Sequence, residues 1–140
     1  MREWEEYSED VSRISPDKEK AKSLLQVVSL REKNINAMNP DEFATLIVEG
    51  YYEMVKELIT AIMSIDGWKT TSHELLVGYL AKFYKEFSQA EIYVVDQLRK
   101  TRHDISYRGV AIKPDYLTRN KDSILKIINK LKQTVQRKLK

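Results

Sequence analysis

The chain has 140 residues, 42% of them hydrophobic and 32% charged, with a net charge of +3, enough for one soluble domain with a buried core. It holds no cysteine and only two histidines, His73 and His103. That excludes disulfides and thiolate metal sites and leaves no His-based metal cluster, so neither a metal nor a cofactor is expected. No apolar run approaches the ~20 residues of a membrane span, and Met1–Asp10 lacks the basic-then-apolar order of a signal peptide, so a cytoplasmic chain without membrane contact is expected.

Residues 1–14 show weak periodicity and read as a loosely held N-terminal arm, with Trp4 and Tyr7 as its anchors. Residues 15–140 read as the folded domain. Ser15-Pro16-Asp17 starts a first helix: a cap residue, proline in the first turn, then an acid. Ala21, Leu24, Val28, Ile35 and Met38 follow at helical spacing to about Met38. Asn39-Pro40-Asp41-Glu42 restarts the chain with the elements of a capping box. Phe43, Ile47, Gly50, Met54, Leu58 and Ile62 then trace one stripe, widened by Leu46, Val55, Ile59 and Met63, which marks this second helix as central. Gly50 costs about 1 kcal/mol relative to alanine in a helix. It fits only where another backbone or a bulky side chain approaches. Asp66-Gly67 ends the helix by the left-handed glycine route.

Thr71-Ser72-His73-Glu74 is a second capping box, and Leu76, Leu80, Phe83 and Phe87 line the third helix. A single helix from Ser72 to Tyr107 would run roughly 54 Å, too long for a domain of this size. The third box, Ser88-Gln89-Ala90-Glu91, therefore opens a fourth helix carrying Ile92, Val95 and Leu98 and ending at Gly109. Pro114-Asp115 begins the last helix, with Ile124, Ile128, Leu131 and Val135 as its buried stripe. No sustained strand alternation, Gly-rich phosphate loop, nucleophile elbow or internal repeat is present. The fold class is all-α: an antiparallel bundle of about five helices with short connections.

Two features carry charge. Residues 113–140 hold nine lysines and arginines against two aspartates, a net +7, which leaves −4 for the rest. Such a helix is either an electrostatic footprint for nucleic acid or the solvated face of an amphipathic helix. The second feature is Leu98–Gly109, which packs Arg99, Arg102, His103, Asp104, Tyr107 and Arg108 together. Arg99, Arg102 and His103 stand at i, i+3 and i+4, on one helical face. They form either a phosphate contact, with Arg108 as a third guanidinium, or a solvated helix end that the macrodipole favours. Elsewhere His73 reads as a capping or packing residue, and Glu49 and Glu53, at i and i+4, either as acids facing the Arg102 stretch across the bundle or, the favoured reading, as solvent-exposed acids. Tyr51, Tyr79 and Tyr93 read as core-edge residues with wet hydroxyls, and Trp68 as a seal beside the Gly67 turn.

The chain resembles the HEPN domains, small helical bundles, over roughly Ser15 to Lys138. The likeness rests on the long second helix from Glu49 through Ala61, the turn Gly67-Trp68-Lys69 before Ser72-His73-Glu74-Leu75, and Arg102-His103-Asp104-Ile105-Ser106-Tyr107. Many such proteins are metal-independent ribonucleases built as homodimers, with an arginine, four to six residues and then a histidine. The resemblance implies that the arginine holds the scissile phosphate and the histidine moves protons.

This chain matches at Arg102, with His103 in the polar position after it, but Tyr107 stands where the histidine should be. A phenol with an ordinary pKa near 10 is a poor proton shuttle, though it can stack on a base. Counting from Arg99 to His103 leaves one residue too few for the motif. Some family members carry a tyrosine, two residues after the histidine, that a nucleotidyltransferase partner modifies; here that position is Gly109.

The expected function is a homodimeric module binding RNA, a nucleotide or a partner protein without catalysis, through Arg99, Arg102, Arg108 and the His103/Tyr107 pair. The apolar surplus on the second and fourth helices adds to the expectation of a dimer. The alternative is a ribonuclease toxin paired with a nucleotidyltransferase, with Arg102, His103 and Tyr107 as its catalytic residues.

Overall fold

The computed structural model covers residues 1–140 and is an all-α bundle of five helices with one very small sheet. In chain order the elements are β1 (Val11–Arg13), α1 (Lys18–Asn36), α2 (Pro40–Asp66), β2 (Trp68–Thr70), α3 (His73–Phe83), α4 (Gln89–Arg108) and α5 (Pro114–Leu139). No helix is long and apolar enough to cross a membrane.

Helix α2 is the axis, and the other four helices and β2 all pack on it. Its apolar residues cover most of its circumference, so fourteen of its 27 residues are buried. Met54, Leu58, Ile59, Ile62 and Met63 are essentially solvent-free, against Val28 of α1, Leu75 and Leu80 of α3, Leu98 of α4, and Ile124, Ile128 and Leu131 of α5. Each such side chain contributes about 1.5–3 kcal/mol on leaving water. The apolar surplus expected to need a second copy is therefore largely absorbed within one chain. What remains outside includes Leu30, Phe43 and Leu46, and also Phe83, which the stripe on α3 had placed inside.

Polar contacts lock the packing. Buried Glu57 accepts two hydrogen bonds from Arg31, at 2.7 Å and 2.9 Å, tying α1 to α2. At the end of α2, Asp66 accepts from the hydroxyls of Tyr79 and Tyr84 and pairs with Lys138 Nζ at 2.7 Å. A carboxylate at a helix C-terminus opposes the macrodipole, and these three donors offset that. Burial and the Asp66 charge push both phenols well above their ordinary range, so they stay protonated and donate. Tyr79 is thus a fully enclosed anchor rather than a core-edge residue with a wet hydroxyl.

The helix ends follow local chemistry, with shifts. Ser88 and Glu91 form the full reciprocal capping box. Asn39 caps only the Asp41 N–H, and the cap at Ser72 engages Leu75, one residue later than the Thr71–Glu74 register. α1 starts at Lys18 under an Asp17 cap, because Ile14 and Asp17 donate backbone hydrogen bonds to Gly67 and Ser64 and so hold Ser15 and Pro16 outside the helix. Gly67 and Gly109 end α2 and α4 with φ of 91° and 65°, a region open to glycine and strained for other residues.

The N-terminal arm is not loose. β1 pairs antiparallel with β2 in the register Val11↔Thr70, Ser12↔Lys69, Arg13↔Trp68. Trp4 is buried, packing edge-on against Trp68 and Tyr79 at ring-centroid distances of 5.5 Å and 4.9 Å. The Arg13 guanidinium lies 4.3 Å from the centre of the Trp68 ring. Tyr7, the other expected anchor, remains in solvent. Three-residue strands are too short to show alternation in a sequence, and their partner lies more than fifty residues away.

The arm crosses α3 at Gly78, where an added Cβ would stand 2.5 Å from the Arg2 carbonyl oxygen and 3.0 Å from the Trp4 nitrogen. At Gly50 the same atom would meet only the tip of Ile35, at 2.8 Å. Gly78→Ala is therefore expected to lower stability by about 1–3 kcal/mol, because backbone cannot yield. Gly50→Ala should change it by less than about 1 kcal/mol, since Ile35 can rotate and alanine favours the helix. Urea denaturation of the two variants checks this, and equal losses would contradict it.

Candidate functional site

The C-terminal half of α4 stays helical through Arg108, so Arg99, Arg102 and His103 share one face, with Tyr107 one turn further. Facing them is the bend Thr71–Glu74, which leads from β2 into α3. The two segments enclose an open cleft of about 320 Å³ lined by Arg99, Arg102, His103, Tyr107, His73 and the residues around it. Both histidines of the chain thus reach one cleft from different elements.

Each cation is held from behind. Asp96 is buried and accepts from Arg99 Nε at 3.0 Å, which fixes Arg99 with its terminal nitrogens free of other hydrogen bonds. Arg102 lies 3.4 Å from Glu53 of α2 through one terminal nitrogen, and its buried Nε has no hydrogen-bond partner. A buried unpaired donor carries a free-energy cost. Burial alone would push the Glu53 carboxyl up, but Lys56, Arg102 and Arg31 pull it below its ordinary value. Glu53 is therefore a charged carboxylate shared by Lys56, at 2.6 Å, and Arg102, not a solvated acid.

His73, which the sequence marks as a capping or packing residue, packs on α2. It opens α3, and its Nδ1 lies 2.8 Å from the hydroxyl of Tyr52 on α2. Burial lowers its pKa, and the cations of Lys56, Arg102 and Arg99 lower it further, against an opposing pull from Glu53. The imidazole is neutral near pH 7. Tyr52 is buried, and that burial together with Glu53 pushes its phenol above the ordinary range. The Tyr52 hydroxyl has Nδ1 as its one partner, and the arrangement that leaves no buried O–H unpaired is donation to Nδ1, with the ring hydrogen on Nε2. No local signal marks this pair, since Tyr52 and His73 meet only through the packing of α3 on α2.

His103 and Tyr107 are exposed and their rings pack tilted at 36°, 4.5 Å between centroids, at the rim of the cleft. Arg108 does not join it: its side chain is exposed and pairs with Asp104 on the same helix at 3.7 Å. The basic C-terminal segment is also largely neutralised within the fold. Arg119, Lys130, Lys132, Arg137 and Lys138 pair with Asp115, Glu91, Glu32, Glu86 and Asp66, which leaves Lys113, Lys121, Lys126 and Lys140 without ion pairs. No group of three His, Cys, Asp or Glu side chains is placed to hold a metal ion.

What the cleft presents is therefore two guanidiniums, a neutral imidazole N–H, the Glu74 carboxylate and a tilted His103–Tyr107 ring pair. Donors of this kind suit an oxyanion with several acceptor atoms, and the aromatic pair suits a planar ring. No family model, no curated protein and no solved structure matches the chain.

The state of His73 has a consequence for stability. Its pKa is lower in the folded protein than the ordinary value near 6.5, so on acidification the unfolded chain takes up a proton first. Stability is lost as the pH falls through that range, whereas the contribution of Glu53 is lost only below about 4.5. The thermal midpoint should fall between about pH 7 and about pH 5.5, and His73→Gln should flatten that fall. Parallel slopes in the two proteins would show that folding does not perturb the imidazole.

Proposed function

We propose that this chain is a HEPN-like homodimeric module, acting in the cytoplasm, that binds a phosphate of RNA or of a nucleotide in the α3–α4 cleft without cleaving it. The observation that carries this reading is the convergence of Arg99, Arg102 and both histidines on one cleft. The helical order and the Arg102–Tyr107 segment are those of the resemblance. Two further features support binding without cleavage. Tyr107 occupies the histidine position of the motif, and the Nε2–H form of His73 presents a donor rather than a base. A planar base could stack on His103 and Tyr107 at the rim.

A second copy is supported by the surface beside Arg102. A depression there is lined by Leu46, Met38, Glu49, Glu53 and Arg102, with Leu46 half exposed. A two-fold contact on this face would bring the Arg102 side chains of both copies to one groove.

One observation favours the alternative, a metal-independent ribonuclease paired with a nucleotidyltransferase: two imidazoles in a cleft with two guanidiniums have the composition for general acid–base attack on a phosphodiester. Under that reading His103 or His73 replaces the histidine absent at Tyr107.

Binding is expected to be weakly sequence-specific and to weaken steeply as salt is raised, because each phosphate contact releases counterions. Fluorescence anisotropy with mixed-sequence RNA should show about a 10–100-fold loss for Arg102→Ala. The same RNA incubated with the protein in EDTA should stay intact. Cleavage that His103→Ala or His73→Ala abolishes would establish the alternative. Light scattering should return twice the 16.5 kDa chain mass, and Leu46→Glu should return the monomer; a native monomer would remove the dimer from the proposal.

A further inference from the structure

Three side chains in the cleft are donors held in place by the fold. Asp96 fixes Arg99 through Nε, leaving the two terminal nitrogens without hydrogen-bond partners in the protein. Arg102 keeps a buried Nε–H with no partner. Tyr52 satisfies Nδ1 of His73 and thereby assigns the hydrogen to Nε2, which has no partner within the protein. A neutral imidazole beside two guanidiniums adds a third directional donor without adding a third charge. An internucleotide phosphodiester offers two free oxygens and one negative charge. A phosphomonoester offers three free oxygens and close to two charges, matching three donor side chains and two cations.

We propose that the cleft is selective for a terminal phosphate, the phosphomonoester at the end of an RNA strand or on a nucleotide, with His73 Nε2–H as the third donor beside Arg99 and Arg102. This rests on the phosphate-binding reading above and narrows its ligand. His73 is the specificity-determining residue, and Tyr52 is a positioning residue that acts by setting the tautomer. The groups facing His73 are Tyr52, Glu53 and Lys56 on α2, Glu74 beside it on α3, and Arg99, Arg102 and His103 on α4. Burial first, and then the cations of that set, disfavour a charge on the ring, so the donor is a neutral N–H.

The test measures binding of a short oligouridylate with a 5′-phosphate, a 3′-phosphate or neither, by anisotropy at low salt, with circular dichroism confirming that each variant folds. A phosphorylated strand should bind about 10-fold tighter than the bare strand. His73→Ala should erase that preference. His73→Gln, which keeps an N–H donor where Nε2 stands, should retain most of it and serves if the alanine variant unfolds. Tyr52→Phe should reduce the preference by releasing the tautomer. Long-range ¹H–¹⁵N spectra of the wild type should show a bare Nδ1 and a protonated Nε2 on His73 at neutral pH.

Equal binding of all three strands, an undiminished preference in His73→Ala, or a protonated Nδ1 on neutral His73 would each overturn the inference. If Arg102→Ala still weakens the bare strand in those cases, the phosphate-binding reading survives without it. If Arg102→Ala leaves every strand unaffected, that reading falls as well.

Discussion

Everything in this molecule depends on burying α2 on nearly all sides. A 27-residue helix whose apolar residues cover most of its circumference cannot face water along any long stripe. The other four helices are placed by that requirement, and α1 and α5 supply the largest share of the cover. The Arg31–Glu57 pair sits on this axis as a bidentate contact with the carboxylate nearly enclosed. Such a pair adds less stability than its short distances suggest, because both groups lost water to form it. Its stronger effect is on register: sliding α1 along α2 would strand the buried carboxylate.

The same axis builds the cleft. Tyr52 and Glu53 are consecutive on α2, and each engages one cleft residue, Tyr52 the His73 imidazole and Glu53 the Arg102 guanidinium. The opposite wall is set by the N-terminal arm. Thr70 donates its hydroxyl to the Asp10 carbonyl and accepts from the Ser72 N–H, so the arm, β2 and the cap of α3 form one chain of hydrogen bonds ending next to His73. The arm's packing on Gly78 and its tryptophan contacts therefore reach the candidate site through the backbone. A segment that reads as an appendage is part of the scaffold.

The electrostatics of the cleft differ from those of the surface around it. On α5, cations are matched by acids drawn from α1, α2 and α4 and from the turn before α4, and they act mainly as staples between elements. In the cleft, Arg99 and Arg102 each have one carboxylate behind them, and burial and these cations lower the pKa of His73 on the facing element. Two guanidiniums with hydrogen-bonding capacity to spare thus meet at one small concavity, although the basic composition of the chain lies elsewhere in the sequence. That separation is why total charge points to α5 while the geometry points to α4 and the bend before α3.

The sequence alone determined what local periodicity and capping can determine. The five helices, the central role of the second, the Ser88–Glu91 box, the glycine stops at Gly67 and Gly109 and the crowding at Gly50 were all legible, because each rests on residues within a few positions of one another. So was the shared face of Arg99, Arg102 and His103. Tertiary structure decided the rest. The β1–β2 pair, the docking of Trp4, the capture of His73 by Tyr52, the opposition of Glu53 to Arg102 and the pairing of the α5 lysines all join residues far apart in the chain. No periodicity records them, since they depend on which faces meet once α2 is buried. The candidate site belongs half to each category: one wall is a helical face that spacing reveals, and the other exists only because α3 packs against α2.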